Sequence, residues 1–284
     1  MSVINFKDLR PAANYPTYPP YHQGYYLEEY FYHFYKRNKE AFDKTGYTLI
    51  PIFWTNVYNN GVNRNLIQFF LNALPEGKYF TISQHDDAVK EILPKSTLSF
   101  EAGGNGNGIP IPLICSPIKI SHQQDKSIFC SFVGSINTSP IREKLFKLYS
   151  TDSDFIFDNQ QWVPNIPTER LNAFVDITQK SRFALCPRGY GAQSFRLYEV
   201  LQIGTIPVIV YDKPWFPFND EILWSDFAVL VHVDEIGNLK QKLKNITPTQ
   251  QQIMISKGRE IYNKYFTFDT VSNHILRILQ NDKK

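Results

Sequence analysis

Ser181 to Val231 reads SRFALCPRGYGAQSFRLYEVLQIGTIPVIVYDKPWFPFNDEILWSDFAVLV. The apolar run Phe183 to Cys186 predicts a strand, Pro187 to Gln193 a glycine-containing loop, and Ser194 the N-cap of a helix. A second apolar strand follows from Ile206 to Tyr211. Strand, glycine loop and helix in that order bring free backbone N–H groups and the positive end of a helix dipole to one point, which makes an anion site. Arg188, Arg196 and Glu199 on the same stretch point to a nucleoside diphosphate rather than a bare turn.

Strands alternate with helices on either side of this stretch. Toward the N-terminus of the chain, the pattern predicts a helix over Leu27 to Phe42, strands at Tyr47 to Trp54, Tyr79 to Ser83, Ser96 to Phe100 and Ile111 to Cys115, and a helix over Asn63 to Leu74 with Leu66, Phe69, Phe70 and Ala73 on one face. Glu101 to Pro110, EAGGNGNGIP, reads as a flexible loop from its composition. A second series follows: strands at Ile128 to Val133 and Phe155 to Phe157, helices at Ser139 to Tyr149 and Thr168 to Thr178, a last strand at Phe227 to Val233, and helices from about Glu235, Thr249 and Asp269. Such alternation implies parallel sheets wound on both sides. The expected architecture is α/β: two Rossmann-like, doubly wound domains facing a cleft, at 1–120 and 121–265, with a C-terminal helix at 266–284 packing back on the first domain.

The bulk numbers narrow the function classes. In 284 residues the formal net charge is +3, and no Lys/Arg run marks a nucleic-acid surface. Aromatic residues reach 15%, which suits either sugar stacking or a Phe-rich core. Cys115, Cys130 and Cys186 stand far apart in apolar runs without zinc spacing, so buried thiols in a reducing compartment are expected. No apolar stretch reaches the roughly 20 residues of a membrane span, and the start of the chain has no signal-peptide core. The reading is a soluble, cytoplasmic protein without a membrane span.

Arg196 and Glu199 are three residues apart and share a helix face. One reading is a plain ion pair; the other puts Arg196 near a diphosphate and Glu199 on two ribose hydroxyls, since both carboxylate oxygens accept. Glu199 precedes Val-Leu-Gln-Ile-Gly, an apolar segment in which a carboxylate needs a partner. Arg142 opens a second strand-to-helix turn, FVGSINTSPIR, and Arg is suited to bidentate phosphate contacts.

These segments resemble the exostosin-like glycosyltransferases, glycosyltransferase family 47. SRFALCPRG, SFRLYE, GTIPVI and PF-x-x-x-I-x-W-S-D-F are similar to the family's sugar-nucleotide domain, and FVGSINTSPIREKL to its Ile-Arg-x-x-Leu segment. YYLEEYFY and YFTISQHDD resemble two N-terminal segments more faintly. The resemblance implies the GT-B arrangement, a UDP-sugar donor, inversion at the anomeric carbon and no metal cofactor, arginines and a helix N-terminus neutralising charge instead. By position it implies that Arg142, Pro187, Arg188, Gly189, Ser194 and Arg196 bind the donor, with Glu199 on the ribose and Leu185 to Gly189 bordering the uracil. A shorter chain without an anchor suggests a viral or bacterial member acting on a glycan or glycoprotein.

An inverting transferase needs a general base. His85, Asp86 and Asp87 are the candidates, with Glu28 and Glu29 behind them; two adjacent aspartates in an extended segment point opposite ways, so one serves at most. Tyr25, Trp54 and Tyr58 are candidate acceptor-binding aromatics, Trp215 and Phe218 candidate walls of the donor pocket, and Trp224 a structural residue. Asp152-Ser153-Asp154 matches a D-x-D metal string, but ahead of a strand rather than after one. The donor is expected among UDP-xylose, UDP-glucuronate, UDP-galactose and similar sugars. A different nucleotide sugar, or a non-catalytic glycan- or nucleotide-binding module, are the competing readings.

Overall fold

The computed structural model describes residues 6–11, 26–115, 117–120, 124–163 and 166–282. Its elements, in chain order, begin with α1 (Leu27–Arg37), α2 (Lys39–Asp43), β1 (Tyr47–Leu49), α3 (Trp54–Asn59), α4 (Arg64–Asn72), β2 (Lys78–Ser83), β3 (Thr97–Glu101) and β4 (Ile109–Pro110). They continue as β5 (Ile128–Gly134), α5 (Pro140–Tyr149), β6 (Phe155–Asn159), α6 (Thr168–Lys180), β7 (Ser181–Pro187), α7 (Phe195–Ile203), β8 (Ile206–Tyr211), β9 (Val229–His232), α8 (Leu239–Lys244), α9 (Pro248–Tyr265) and α10 (Phe268–Asn281). The chain divides into two compact units: the described residues up to 112 with those from 267 onward, and those between 113 and 266.

The first unit holds a parallel sheet ordered β1-β2-β3-β4. Its aromatics are largely core. Phe31, Phe42, Phe80 and Phe100 are fully buried, and the Phe42 and Phe80 rings stack with centres 5.8 Å apart. Helix α10 belongs to this unit: Tyr30 donates to Asp269 and packs its ring 4.9 Å from that of Phe268, and Tyr47 donates to Asp282.

Several local expectations change here. The long N-terminal helix breaks at Asn38, which ends α1 and precedes α2. The strand expected over 47–54 stops at Leu49, because Pro51 has no N–H for the ladder, and Trp54 instead opens α3. On α4 the buried positions are Ile67 and Leu71, while Leu66 and Phe69 are exposed; the helix carries two apolar stripes, and packing selects one. The last strand of the sheet forms at Ile109–Pro110 rather than at 111–115.

The second unit holds a five-stranded parallel sheet ordered β6-β5-β7-β8-β9. Numbered within the unit, that order is 2-1-3-4-5, and its direction reverses between β5 and β7. In open parallel sheets ligands bind at the carboxyl ends of the strands where the order reverses. The core is built by Cys130, Phe132, Phe183, Leu185, Val208, Val210 and Val231 from the strands with Ile141, Leu145, Leu239 and Leu243 from the helices. Ser139 caps α5 through the Ile141 N–H at 3.3 Å, with Pro140 at the first helical position, and Ser194 caps α7 through the Arg196 N–H at 3.3 Å. Gly204 ends α7 at φ +81°, a conformation only glycine takes cheaply.

Candidate functional site

The reversal point of the second sheet carries the two glycine loops. One runs from Gly134 to Ser139 after β5, the other from Arg188 to Gln193 after β7. A pocket lies at the first loop and the start of α7, lined by Gly134, Ser135, Arg142, Ser194, Arg196 and Glu199 together with Trp162, Val163, Ile166, Leu171 and Phe174, and with Gln160, Gln161 and Arg170. The N-terminus of α7 opens into it, so its unpaired N–H groups and dipole favour an anion there.

Arg142 ties the loops together. Its Nε donates to the Arg188 carbonyl at 3.0 Å, Nη1 to the Ser135 carbonyl at 3.0 Å, and Nη2 to the Pro187 carbonyl at 3.3 Å and to Ser194 Oγ at 3.4 Å. These acceptors are neutral, so they hold the guanidinium in place without cancelling its charge. Gly189 sits beside it: a Cβ there would meet Arg142 Nη2 at 3.5 Å.

Arg196 and Glu199 form an ion pair, Nη1 to Oε2 at 2.8 Å. The Glu199 side chain is 5% exposed and that of Arg196 22%. Burial pushes the Glu199 carboxyl up, and Arg196 opposes the shift. The guanidinium lies 3.7 Å from the Phe174 ring centre, which fixes its orientation. Oε1 of Glu199 accepts no hydrogen bond from a described residue. The pair is thus the ion pair that the spacing allows, with one carboxylate oxygen left over.

Arg188 goes elsewhere. Its guanidinium makes a bidentate pair with Asp212 at the end of β8, with both N–O distances 2.7 Å, and it does not line the pocket. Arg188 holds the Asp212 carboxyl below the usual range. Leu185, Cys186 and Pro187 are interior residues of β7, paired with Val208, Ile209 and Val210.

The candidate base turn lies on the first unit, after β2. His85 to Asp87 form a turn rather than an extended segment, so the two aspartates are separated by the turn and not by strand alternation. Asp87 is taken by Lys90 at 2.5 Å and by Asn105 Nδ2 at 3.4 Å. The Asp86 side chain makes no hydrogen bond or ion pair with a described residue, and burial, with Asp87 second, raises its carboxyl to about 6. His85 Nδ1 accepts the Asp87 N–H at 3.2 Å, and burial lowers the ring's pKa. The loop read as flexible clasps this turn. Asn105 N donates to the Asp86 carbonyl at 3.2 Å and Gly108 N to Glu101 Oε2 at 3.0 Å. A Cβ on Gly103 would stand 2.3 Å from the Asp86 Cα, so glycine is required there by contact.

Glu28 and Glu29 are structural. Glu28 Oε1 accepts from Thr55 N, Thr55 Oγ1 and Gln84 N at 3.2, 2.7 and 3.0 Å. Glu29 caps α1 through Tyr26 N and accepts from Asn56 Nδ2. Among the acceptor aromatics, Trp54 is wholly buried and donates to Thr81 Oγ1 at 2.7 Å, so its ring cannot stack on a sugar. Tyr58 is half-buried; its hydroxyl donates to Glu91 and accepts from Lys90 N, and its ring edges His85 at 4.9 Å. Tyr25 lies outside the described residues. Trp215 and Phe218 are nearly buried, and neither lines the pocket at the sheet reversal. Trp224 is structural, its indole donating to the Pro217 carbonyl. Asp152 and Asp154 are bridged by Lys240, with Lys244 also on Asp154. Among the described residues no group of three or more His, Cys, Asp or Glu side chains could hold a metal ion.

The Exostosin GT47 domain family matches residues 69–246. The chain belongs to that family. Its matched stretch contains both the His85–Asp87 turn and every polar residue of the pocket. A probable glycosyltransferase of Arabidopsis thaliana is 31% identical over 125 residues, 44% of this chain and 23% of that protein. A probable glucuronosyltransferase of Oryza sativa subsp. japonica is 37% identical over 86 residues, 30% of this chain and 20% of that protein. The similarity thus spans about a quarter or less of these relatives' own length. The structure of an S. aureus TarM mutant in complex with fondaparinux, alpha-GlcNAc-glycerol and UDP is similar at TM-score 0.40 and 10% identity, over 75% of this chain and 58% of that one.

Within this GT47 domain, sequence reasoning missed four residues that shape the candidate sites. Asp212, directly after a strand, was a visible partner for an arginine. Phe174 and Trp162 carried no local signal, because only the tertiary structure brings the start of α6 and the segment after β6 to α7. Gly103 was hidden inside a segment whose composition imitates a mobile loop.

Proposed function

We propose that the chain is an inverting glycosyltransferase that moves a sugar from a UDP-sugar to a hydroxyl of a glycan or glycoconjugate. The observation that carries this reading is the pocket at the sheet reversal, where the α7 N-terminus and a buried carboxylate with one unused oxygen meet two arginines. The diphosphate is assigned to Ser194, the α7 N-terminus, Gly189 and the charges of Arg142 and Arg196. The ribose diol is assigned to Glu199 Oε1. Arg188 acts through the loop, its Asp212 pair setting the backbone that Arg142 grips.

On the first unit, Asp86 is the proposed base. It takes the proton of the acceptor hydroxyl as that oxygen bonds to the anomeric carbon, the bond from that carbon to the phosphate oxygen breaks, and UDP leaves. Asp86 suits the role because it carries no competing ion pair with a described residue and burial raises its carboxyl to about 6. Asp87, paired with Lys90, and His85, whose Nδ1 is occupied, support the turn. The donor is proposed to be UDP-xylose, UDP-glucuronate, UDP-galactose or a similar sugar, a class supported by the family and by the rice relative, a probable glucuronosyltransferase. No metal is assigned to the reaction, because fixed cations and a helix end can perform the charge neutralisation. Among the described residues no helix is long and apolar enough to cross a membrane. A cytoplasmic site of action is proposed on the three buried thiols, none in a disulfide.

Titration calorimetry with UDP, with magnesium and with EDTA, tests the donor reading. Micromolar binding (about −8 kcal/mol at 1 μM) that EDTA leaves unchanged is the expected result. Absence of UDP binding alongside binding of a GDP- or CMP-sugar overturns the nucleotide assignment, and absence of all nucleotide binding overturns the activity.

A further inference from the structure

The pocket on the second unit mixes polar and apolar lining. The Arg142 guanidinium meets Ser135 and Ser194, Arg196 pairs with Glu199 and lies against Phe174, and the lining continues through Trp162, Val163, Ile166 and Leu171 with Gln160, Gln161 and Arg170 among them. A nucleoside diphosphate has matching parts: anion, diol, flat ring. Trp162 is 54% exposed, unusual for a residue that normally buries most of its surface. The stretch 185–189, the alternative place for the base, has little to offer. Leu185 to Pro187 are buried and paired with β8, the Pro187 and Arg188 carbonyls accept from Arg142, and the Gly189 carbonyl accepts from Arg188.

We infer that Trp162 is the stacking platform for the nucleobase of the donor, and that the base lies over the segment after β6 rather than against the end of β7. This rests on the donor reading above and adds the position and recognition of the base. An exposed indole beside an apolar wall gives a flat ring a face on which to displace water, and base–aromatic stacking of this kind tolerates any base. Trp162 therefore contributes affinity for nucleotides in general, while the diol and anion parts of the pocket do not depend on it.

The protein carries its own reporter. Of its four tryptophans, Trp54, Trp215 and Trp224 are 0%, 8% and 3% exposed, so a base that stacks on Trp162 quenches the one exposed indole. The experiment pairs UDP titrations by calorimetry and by tryptophan fluorescence on the whole chain, its W162F and W162A forms, and inorganic pyrophosphate as a ligand without a base. The expected result is quenching by UDP in the unmodified chain that disappears in W162F while binding persists. In W162A, UDP affinity falls about ten- to a hundredfold and pyrophosphate affinity stays the same. Unmodified chain that binds UDP, with W162A binding it equally well, overturns the platform and leaves the donor reading standing. Loss of pyrophosphate affinity in W162A equal to the loss for UDP also overturns it, since the residue then shapes the whole pocket. Unmodified chain that binds no UDP overturns the donor reading and the platform with it.

Discussion

Arg196 and Glu199, one turn apart on α7, are joined at 2.8 Å, with the arginine laid against the Phe174 ring and the second glutamate oxygen left without a described partner. A buried carboxylate on an otherwise apolar helix is costly unless it is paired. The pair meets that requirement with one oxygen only. The remaining acceptor belongs to a residue that lines the pocket.

That geometry makes a prediction with an internal control. Glu199→Ala weakens UDP binding about ten- to a hundredfold, the range for hydrogen bonds to a charged group. Removing the 2′-hydroxyl from the ligand weakens binding to the unmodified chain but not to E199A, because the interaction is already absent. Equal discrimination of UDP and 2′-deoxy-UDP by both forms, measured by calorimetry, refutes the ribose role.

The base assignment predicts a pH profile. A carboxyl raised to about 6 is deprotonated only above that value, so kcat/KM falls on the acid side with a midpoint near 6. Asp86→Asn lowers kcat by roughly two to four orders of magnitude and removes that limb, with UDP affinity intact. Asp87→Asn changes kcat by about tenfold at most, since its partner is a half-exposed lysine. Steady-state rates across pH 5 to 8 (on the order of the carboxyl and imidazole ranges) decide between the two aspartates.

Gly103→Ala addresses the loop that clasps the turn. The added methyl has no space against the Asp86 backbone, so the turn moves. Turnover drops about a hundredfold, the usual consequence of misplacing a catalytic group by an ångström, while UDP binding on the other unit stays unchanged. Retained turnover in G103A shows that the loop does not position Asp86.

Glu28 predicts a pH effect on stability instead of rate. Its Oε2 is buried without a partner among the described residues, and burial raises its pKa above the ordinary 4.5. A raised carboxyl contributes its stability below the unfolded value and loses it as pH climbs through the folded one. Glu28→Gln keeps the acceptor for Thr55 and Gln84 and cannot ionise. Urea unfolding therefore shows E28Q gaining on the unmodified chain between pH 5 and pH 8 (spanning the carboxyl range of). A constant gap across pH excludes ionisation of Glu28 as the cause.

The alternation of strands and helices, the glycine loops and the Ser caps were legible because each is set by local chemistry: side-chain period, backbone freedom at glycine, and orphan N–H groups at a helix start. Residues 181–231 alone determined a strand–loop–helix–strand unit with arginines and a glutamate at its turn. Which apolar stripe of α4 is buried, that Trp54 lies in the core, and that Arg188 pairs with Asp212 were decided by tertiary contact. So were the meeting of Trp162 and Phe174 with Glu199 in one pocket and the fit of Gly103 against Asp86. These depend on residues far apart in sequence, whose side chains are brought together only when the order of strands in the sheet is fixed. Local propensity carries no information about that order, and packing does.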